Sequence, residues 1–275
     1  MFDPAAITWI ALTGLVAGTL GGMLGVGGSV IMLPALVMIF GQNRHPGFHQ
    51  HLYQAAAMIA NVLVVLPAFW RHARAGAVVR PALLRMLPAA LGFVIVGVMV
   101  SNLDAFDPAR RYFGASGPVW LGRVLAVFLA YVIVVNIRRL VSGRREAIGT
   151  SRVTTARGSA VGAAMGFAAG LMGIGGGAIA VPLQQTLLRL PLRNCIANST
   201  AIIVVTAAAG AVVKNATLPG DASVLDSLRL AGLLAPTAIV GSLIGATLTH
   251  CLPVRAVRIA FIVLMAVAAW KMAAV

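Results

Sequence analysis

Residues 14–34 read GLVAGTLGGMLGVGGSVIMLP, and residues 162–182 read GAAMGFAAGLMGIGGGAIAVP. Set 148 residues apart, the two stretches share Gly14/Gly162, Gly18/Gly166, Gly22/Gly170, Gly25/Gly173, Gly27/Gly175 and Gly28/Gly176, and each ends on a proline, Pro34 or Pro182. Only Gly21, Ser29 and Gly177 break the correspondence. A glycine-dense interruption repeated in two halves of an apolar chain points to membrane transport, because paired broken helices commonly build a substrate site.

The rest of the chain supplies that apolar setting. Of 275 residues, 60% are hydrophobic and 10% charged, with mean hydropathy +0.97; a soluble domain carries about 25% charged residues. Apolar stretches fall at 7–24, 28–40, 52–70, 82–101, 118–137, 158–173, 176–190, 195–213, 230–249 and 254–272. Many approach the roughly 20 residues a helix needs to cross a bilayer. If 7–24 joins 28–40, and 158–173 joins 176–190, each half holds four hydrophobic segments, the first of them interrupted. The expected fold is an all-α polytopic membrane helix bundle, with residues 1–137 as the first repeat, 138–157 as a linker and 158–275 as the second. The opening MFDPAAITWI has no basic n-region or obvious cleavage site, so it is expected to be retained.

The net charge of +15 does not indicate a nucleic-acid partner, because the arginines sit at the ends of apolar spans rather than on a soluble face. The positive-inside rule and anionic headgroups explain the excess. Arg138, Arg139, Arg144, Arg145, Arg152 and Arg157 mark the linker as cytoplasmic, and Arg71, Arg74, Arg80 and Arg85 form a second basic cluster two spans earlier. Trp9, Trp70, Trp120 and Trp270 fall near span ends, where an aromatic belt places them. If each broken segment dips and returns, the repeats are inverted and Arg189, Arg193, Arg255 and Arg258 join the cytoplasmic side. If each crosses, the repeats are parallel. The two basic-residue counts differ by a single residue, slightly in favour of inversion.

Chemistry is expected first at the clusters Gly25, Gly27, Gly28, Ser29 and Gly173, Gly175, Gly176, Gly177. Glycine lets the backbone leave the helix and approach a ligand with no Cβ in the way. The helix that resumes presents free N–H groups and a positive dipole end, which favours an anion. The spaced glycines Gly14-Gly18-Gly22, Gly162-Gly166-Gly170 and Gly241-Gly245 read instead as small-residue packing surfaces. On this reading Gly176 belongs to the anion site and Gly166 to helix packing. Uncharged polar residues within spans come second: Gln184 and Gln185 after Pro182, Asn198, Ser199 and Thr200 opening the next span, Gln54 at the matching place in the first half, and Asn61 and Thr206 deeper. Interhelical hydrogen bonding is the structural alternative for each.

Several functions lack their residues. All six acidic side chains fall in loops or termini, so no carboxylate is expected at mid-membrane, where proton-coupled carriers usually keep one. An anion leaving a negative interior gains about 2.3 kcal/mol per charge per 100 mV, so export needs no coupling ion. His45, His49 and His51 share one short loop without an acidic or cysteine ligand, which reads as a solvated or interfacial loop rather than a metal site. Cys195 and Cys251 have no CxxC spacing. No G-x-S-x-G, HExxH or intramembrane aspartate pair is present, so an intramembrane enzyme is disfavoured. No cofactor or metal is expected.

A span ending in GxxGxGGS or GxxGxGGG, a following proline and a second copy in the other half resemble the TauE/SafE family of membrane permeases. The resemblance covers essentially the whole chain and implies export of a small anion (sulfite, a sulfonate or a related organic acid) across the bacterial cytoplasmic membrane. It points to Gly25, Gly27, Gly28, Gly173, Gly175, Gly176 and Gly177 as the site, with Pro34 and Pro182 as helix breaks and Asn198, Ser199 and Thr200 beside them. Ser29 in place of a third glycine, and Gln54-Ala55-Ala56 where the second half has Asn-Ser-Thr, imply unequal contributions. The expected partners are a small anionic substrate and the lipid bilayer; the oligomeric state is open, a homodimer being one option. A non-transport membrane subunit, or a carrier of another small solute, is the alternative.

Overall fold

The structure, a computed structural model, describes residues 4–40, 50–103, 152–218 and 222–273, with short stretches between 111 and 141. His45, His49, Asp104, Asp107, Trp120, Asp221 and most of the linker lie outside these residues, as does much of the 118–137 segment.

The chain forms a polytopic helical membrane bundle. Its first half contains α1 (Pro4–Leu24), α2 (Ser29–Phe40), α3 (Gln50–Arg74) and α4 (Arg80–Ser101). Its second half contains α5 (Thr155–Met172), α6 (Gly177–Leu183), a π-helical turn Gln184–Leu188, α7 (Leu192–Ala216), α8 (Val224–Cys251) and α9 (Val254–Ala273). Five described helices, within α1, α3, α4, α7 and α8, are long and apolar enough to cross a membrane. The β structure among the described residues is one short antiparallel pair, Arg111–Tyr112 with Ala115–Ser116. Side chains such as Trp9, Trp70, Leu84 and Trp270 remain exposed, as a lipid-facing surface requires.

Small residues decide how the helices pair. A Cβ on Gly14, Gly18 or Gly22 would collide with the α8 backbone at Leu234, Ala238 and Ser242, and a Cβ on Gly241 or Gly245 would collide with α1 at Leu15 and Thr19. In the same way Gly162, Gly166 and Gly170 lie on the α4 backbone at Met86, Ala90 and Val94. Each first helix therefore packs on a helix of the opposite half, so the two repeats interlock into one unit. The spaced glycines are packing surfaces, since only residues without side chains let backbones approach this closely.

The order in which residues meet along each contact gives the helix directions. Numbers rise together along α1 and α8, from Gly14 against Leu234 to Met23, whose carbonyl accepts from Thr249 Oγ1 at 2.6 Å. They also rise together along α3 and α8, where Ser242 donates to Val64 O and His72 meets His250. Helices α4, α5 and α7 form a second parallel set: Gly158 meets Arg85 and Gly170 meets Val94, while Asn198 meets Val79 and Lys214 meets Ser101. The sets oppose each other, because Asn194 at the start of α7 donates to Ala77 beyond the end of α3 and Gly210 meets Met58. Thus α1 opposes α5, α3 opposes α7 and α4 opposes α8. The halves run in opposite directions, and α2 turns back along α1 to bring Phe40 against Tyr53, their ring centroids 6.3 Å apart.

This geometry puts Arg71, Arg74, Arg80, Arg193 and Arg255 at one end of the bundle, which the positive-inside rule assigns to the cytoplasm. In a cysteine-free background, Ala75→Cys and Pro253→Cys should resist an impermeant thiol reagent added to intact cells, while Leu103→Cys and Thr217→Cys should react. Opposite labelling of Ala75→Cys and Pro253→Cys would contradict the inverted arrangement.

Candidate functional site

Backbone dihedrals mark where the helices break. Gly25 and Gly27 have φ of 64° and 83°, and Gly173, Gly175 and Gly176 have 70°, 71° and 75°, values in the left-handed region that glycine adopts without steric cost. The last helical bonds before each break are Gly25 N–H to Gly21 O and Gly173 N–H to Ala169 O, both 3.0 Å. The prolines are not the interruption: the chain is helical through Pro34 in α2 and through Pro182 in α6. A proline forfeits one N–H but keeps a helical φ, whereas a positive φ takes the backbone out of the helix. Pro182 is followed by the π turn, which ends where Arg189 takes φ 55°.

Each half secures the break of the other. Ser199 of α7 donates its hydroxyl to Gly25 O at 2.6 Å, and Gln54 of α3 donates Nε2 to Met172 O at 3.4 Å. Carbonyls released at the end of a helix within hydrocarbon must find such donors. Gly25 also lies on α7, since a Cβ there would stand 2.7 Å from Ile196 O, and Gly173 lies on the Gln54 side chain at 2.8 Å.

The two breaks meet at Asn61, halfway along α3 and fully buried. Its Oδ1 accepts from Gly28 N–H at 2.8 Å, which caps the opening turn of α2. Its amide also faces Gly27, where a Cβ would stand 2.7 Å from Oδ1, and Gly175, where a Cβ would strike Nδ2. Across the same point, Gly177 abuts Val26 O and Ile203 of α7. The openings of α2 and α6 thus converge here from opposite directions, and both carry the positive end of a helix dipole. Three buried polar atoms close to the breaks have no hydrogen-bond partner among the described residues: Asn61 Nδ2, Ser29 Oγ and Gln54 Oε1. Asp226, the one described acidic residue, lies away from this point at the start of α8, paired with Arg229 at 3.3 Å.

Of the residues singled out in the sequence, Gly25, Gly27, Gly28, Gly173, Gly175, Gly177, Ser29, Gln54 and Ser199 gather around the two breaks. Gly176 lies within the second break but faces α5, and the others bond elsewhere. Gln184, on the π turn, donates to Cys195 O at 3.3 Å, and its neighbour Gln185 is also buried. Asn198 Oδ1 accepts from Val79 N–H at 2.8 Å and ties α7 to the entry of α4. Thr200 and Thr206 return their hydroxyls to their own helix, at Ala197 O and Ile202 O. Gly176 faces α5, so a methyl there would strike Met165 O, just as one on Gly166 would strike Ala90 O. Alanine at either position therefore perturbs packing, and the pair does not separate ligand contact from assembly. In the sequence Asn61 stands out only as a deeper polar residue. Its role depends on partners 33 and 114 positions away, which no local pattern carries.

Ser199→Ala leaves the buried Gly25 carbonyl without its donor, a loss of about 1–3 kcal/mol. Thr200→Ala removes only a bond within one helix turn. Thermal unfolding in detergent should show a clear fall for Ser199→Ala and a small change for Thr200→Ala; equal shifts would contradict the capping role.

Comparison with known proteins places this architecture. The family model for sulfite exporter TauE/SafE matches residues 10–272. "Probable membrane transporter protein MamO" of Paramagnetospirillum magneticum is 29% identical over 98% of this chain and 45% of its own length, and its namesake in Magnetospirillum gryphiswaldense is 27% identical with the same coverage. The chain thus spans about half the length of these relatives. "Probable membrane transporter protein YunE" of Bacillus subtilis is 24% identical over 88% of each chain. No solved structure matches. With the family model covering nearly every helix and both glycine breaks, the chain belongs to the TauE/SafE family.

Proposed function

We propose that this chain is a permease that exports a small anion, such as sulfite, a sulfonate or a related organic acid, across the cytoplasmic membrane of a bacterium. The observation that carries the reading is the convergence of two oppositely directed broken helices on Asn61, whose Nδ2 is a buried donor with no partner among the described residues. An oxyanion bound there accepts from Asn61 Nδ2, from the Ser29 hydroxyl and from the opening amides of α2 and α6. Gly27 and Gly175 bring both breaks against the Asn61 amide, so that donors from the two halves lie close together. Neutral donors suit a ligand that must leave again, whereas a lysine or arginine would hold it more strongly. The membrane transporter names of the relatives and the sulfite exporter description of the family point the same way.

Inverted halves suggest how the site is exposed. Rocking one repeat against the other about a fixed mid-membrane site opens it to each side in turn. Here the moving surfaces are the glycine faces of α1 on α8 and of α5 on α4, which have few side chains to interlock. Gln184 and Thr200 then act within the second half, and Asn198 ties that half to α4 of the first, rather than touching the anion.

Asn61→Asp is the sharpest test, because the new side chain keeps an acceptor for Gly28 N–H while replacing the donor with negative charge. A hydrogen bond to a charged group contributes about 1.5–3 kcal/mol, so efflux of labelled sulfite or methanesulfonate from proteoliposomes should fall at least about tenfold. Folded protein should persist on size exclusion. Undiminished efflux would place the site elsewhere; no flux of any tested anion by the wild-type chain would favour another solute or a non-transport role.

A further inference from the structure

Where α1, α3 and α8 end together, three groups form a continuous line. His250 Nε2 lies 2.9 Å from His72 Nδ1, and His72 Nε2 lies 3.2 Å from Gly22 O. His72 is fully buried and His250 half-buried at the basic end of the bundle. Gly22 stands three residues before the first break.

Valence fixes the protons along this line. A carbonyl only accepts, so His72 Nε2 carries hydrogen and donates to Gly22 O. In the neutral ring His72 Nδ1 is then an acceptor, and the hydrogen between the rings belongs to His250 Nε2. His250 Nδ1 is left with a free lone pair on the more accessible ring. The pair has room for one added proton: it binds at His250 Nδ1, and the Nε2 hydrogen of that ring can pass to His72 Nδ1 without breaking either contact. A second proton leaves no lone pair between the rings and breaks the contact between α3 and α8.

We infer that His72 and His250 form a proton-binding site that couples proton movement to the first broken helix. The sequence places no carboxylate within an apolar span; histidine is the side chain whose ordinary titration lies nearest neutrality and can serve the same purpose. The charged groups facing the pair are Arg71, next to His72 on α3, and Arg193 of α7, whose guanidinium donates to His250 O at 3.5 Å and Leu252 O at 2.9 Å. Helix α1 contributes no titratable side chain. Through Gly22 the pair grips the end of α1, so its proton occupancy bears on the hairpin that shapes the proposed anion site.

Two measurements test this, and only the second depends on the anion-transport reading. In lipid nanodiscs, ¹⁵N-histidine spectra of the whole chain should show His72 and His250 taking up a single shared proton between pH 7 and pH 4, with no such event in His250→Gln. In proteoliposomes with the potential clamped by potassium and valinomycin, a pH step should change efflux of methanesulfonate, which stays ionised throughout, several-fold. His250→Gln and His72→Gln should keep basal efflux and lose the response; His250→Gln, at the more exposed ring, covers the case in which His72→Gln does not fold. A pair that takes up no proton overturns the proposal. So does wild-type efflux indifferent to the pH step, or a response that survives in His250→Gln. Absence of any methanesulfonate or sulfite flux in the wild type would instead count against the transport reading and leave the spectra to judge the proton site.

Discussion

A polypeptide that leaves the helix inside hydrocarbon exposes carbonyls and amides that no solvent can satisfy, and the whole structure is arranged around meeting that demand twice. The released Gly25 carbonyl is held by Ser199, the Met172 carbonyl by Gln54, and the Gly28 amide by Asn61. Two of these bonds, those of Ser199 and Gln54, cross the boundary between halves. Each break is therefore held by a donor from the other half.

Close approach follows from the same requirement. Side chains from α3 and α7 reach the breaks only if α1 and α5 lie flat against their partners. Rows of glycine on α1, α5 and α8 bring backbone onto backbone, so that an added methyl at almost any of them meets a carbonyl of the facing helix. In the membrane this contact rests on dispersion and on the absence of side-chain entropy to lose, since lipid tails offer no hydrophobic gain on association.

The duplicated break, the helical class and the packing role of the spaced glycines were legible in the sequence because each is written in local spacing. Ser199 and Gln54 were legible as polar residues that open corresponding spans. The weight of Asn61 was not, nor was the pairing of His72 with His250, because these depend on contacts between residues 33 to 178 positions apart. The prolines misled as breaks, since a helix absorbs a missing N–H more easily than a positive φ. Gln184 misled for another reason: the π turn after Pro182 directs it to Cys195 O, and no periodicity foretells such a turn. Charge counting does not separate inverted from parallel repeats, whereas the order of contacts within the two helix sets, together with the antiparallel contact of α3 with α7, gives the helix directions.

The central claim is that one side chain joins both breaks, and solid-state NMR of the chain in lipid reads that contact most directly. With asparagine side-chain nitrogens and glycine α-carbons labelled, the Asn61 amide should give cross-peaks to Gly27 in the first motif and to Gly175 in the second. Both should vanish together in an Asn61→Leu sample. Cross-peaks to one motif alone, or to neither, would contradict the account.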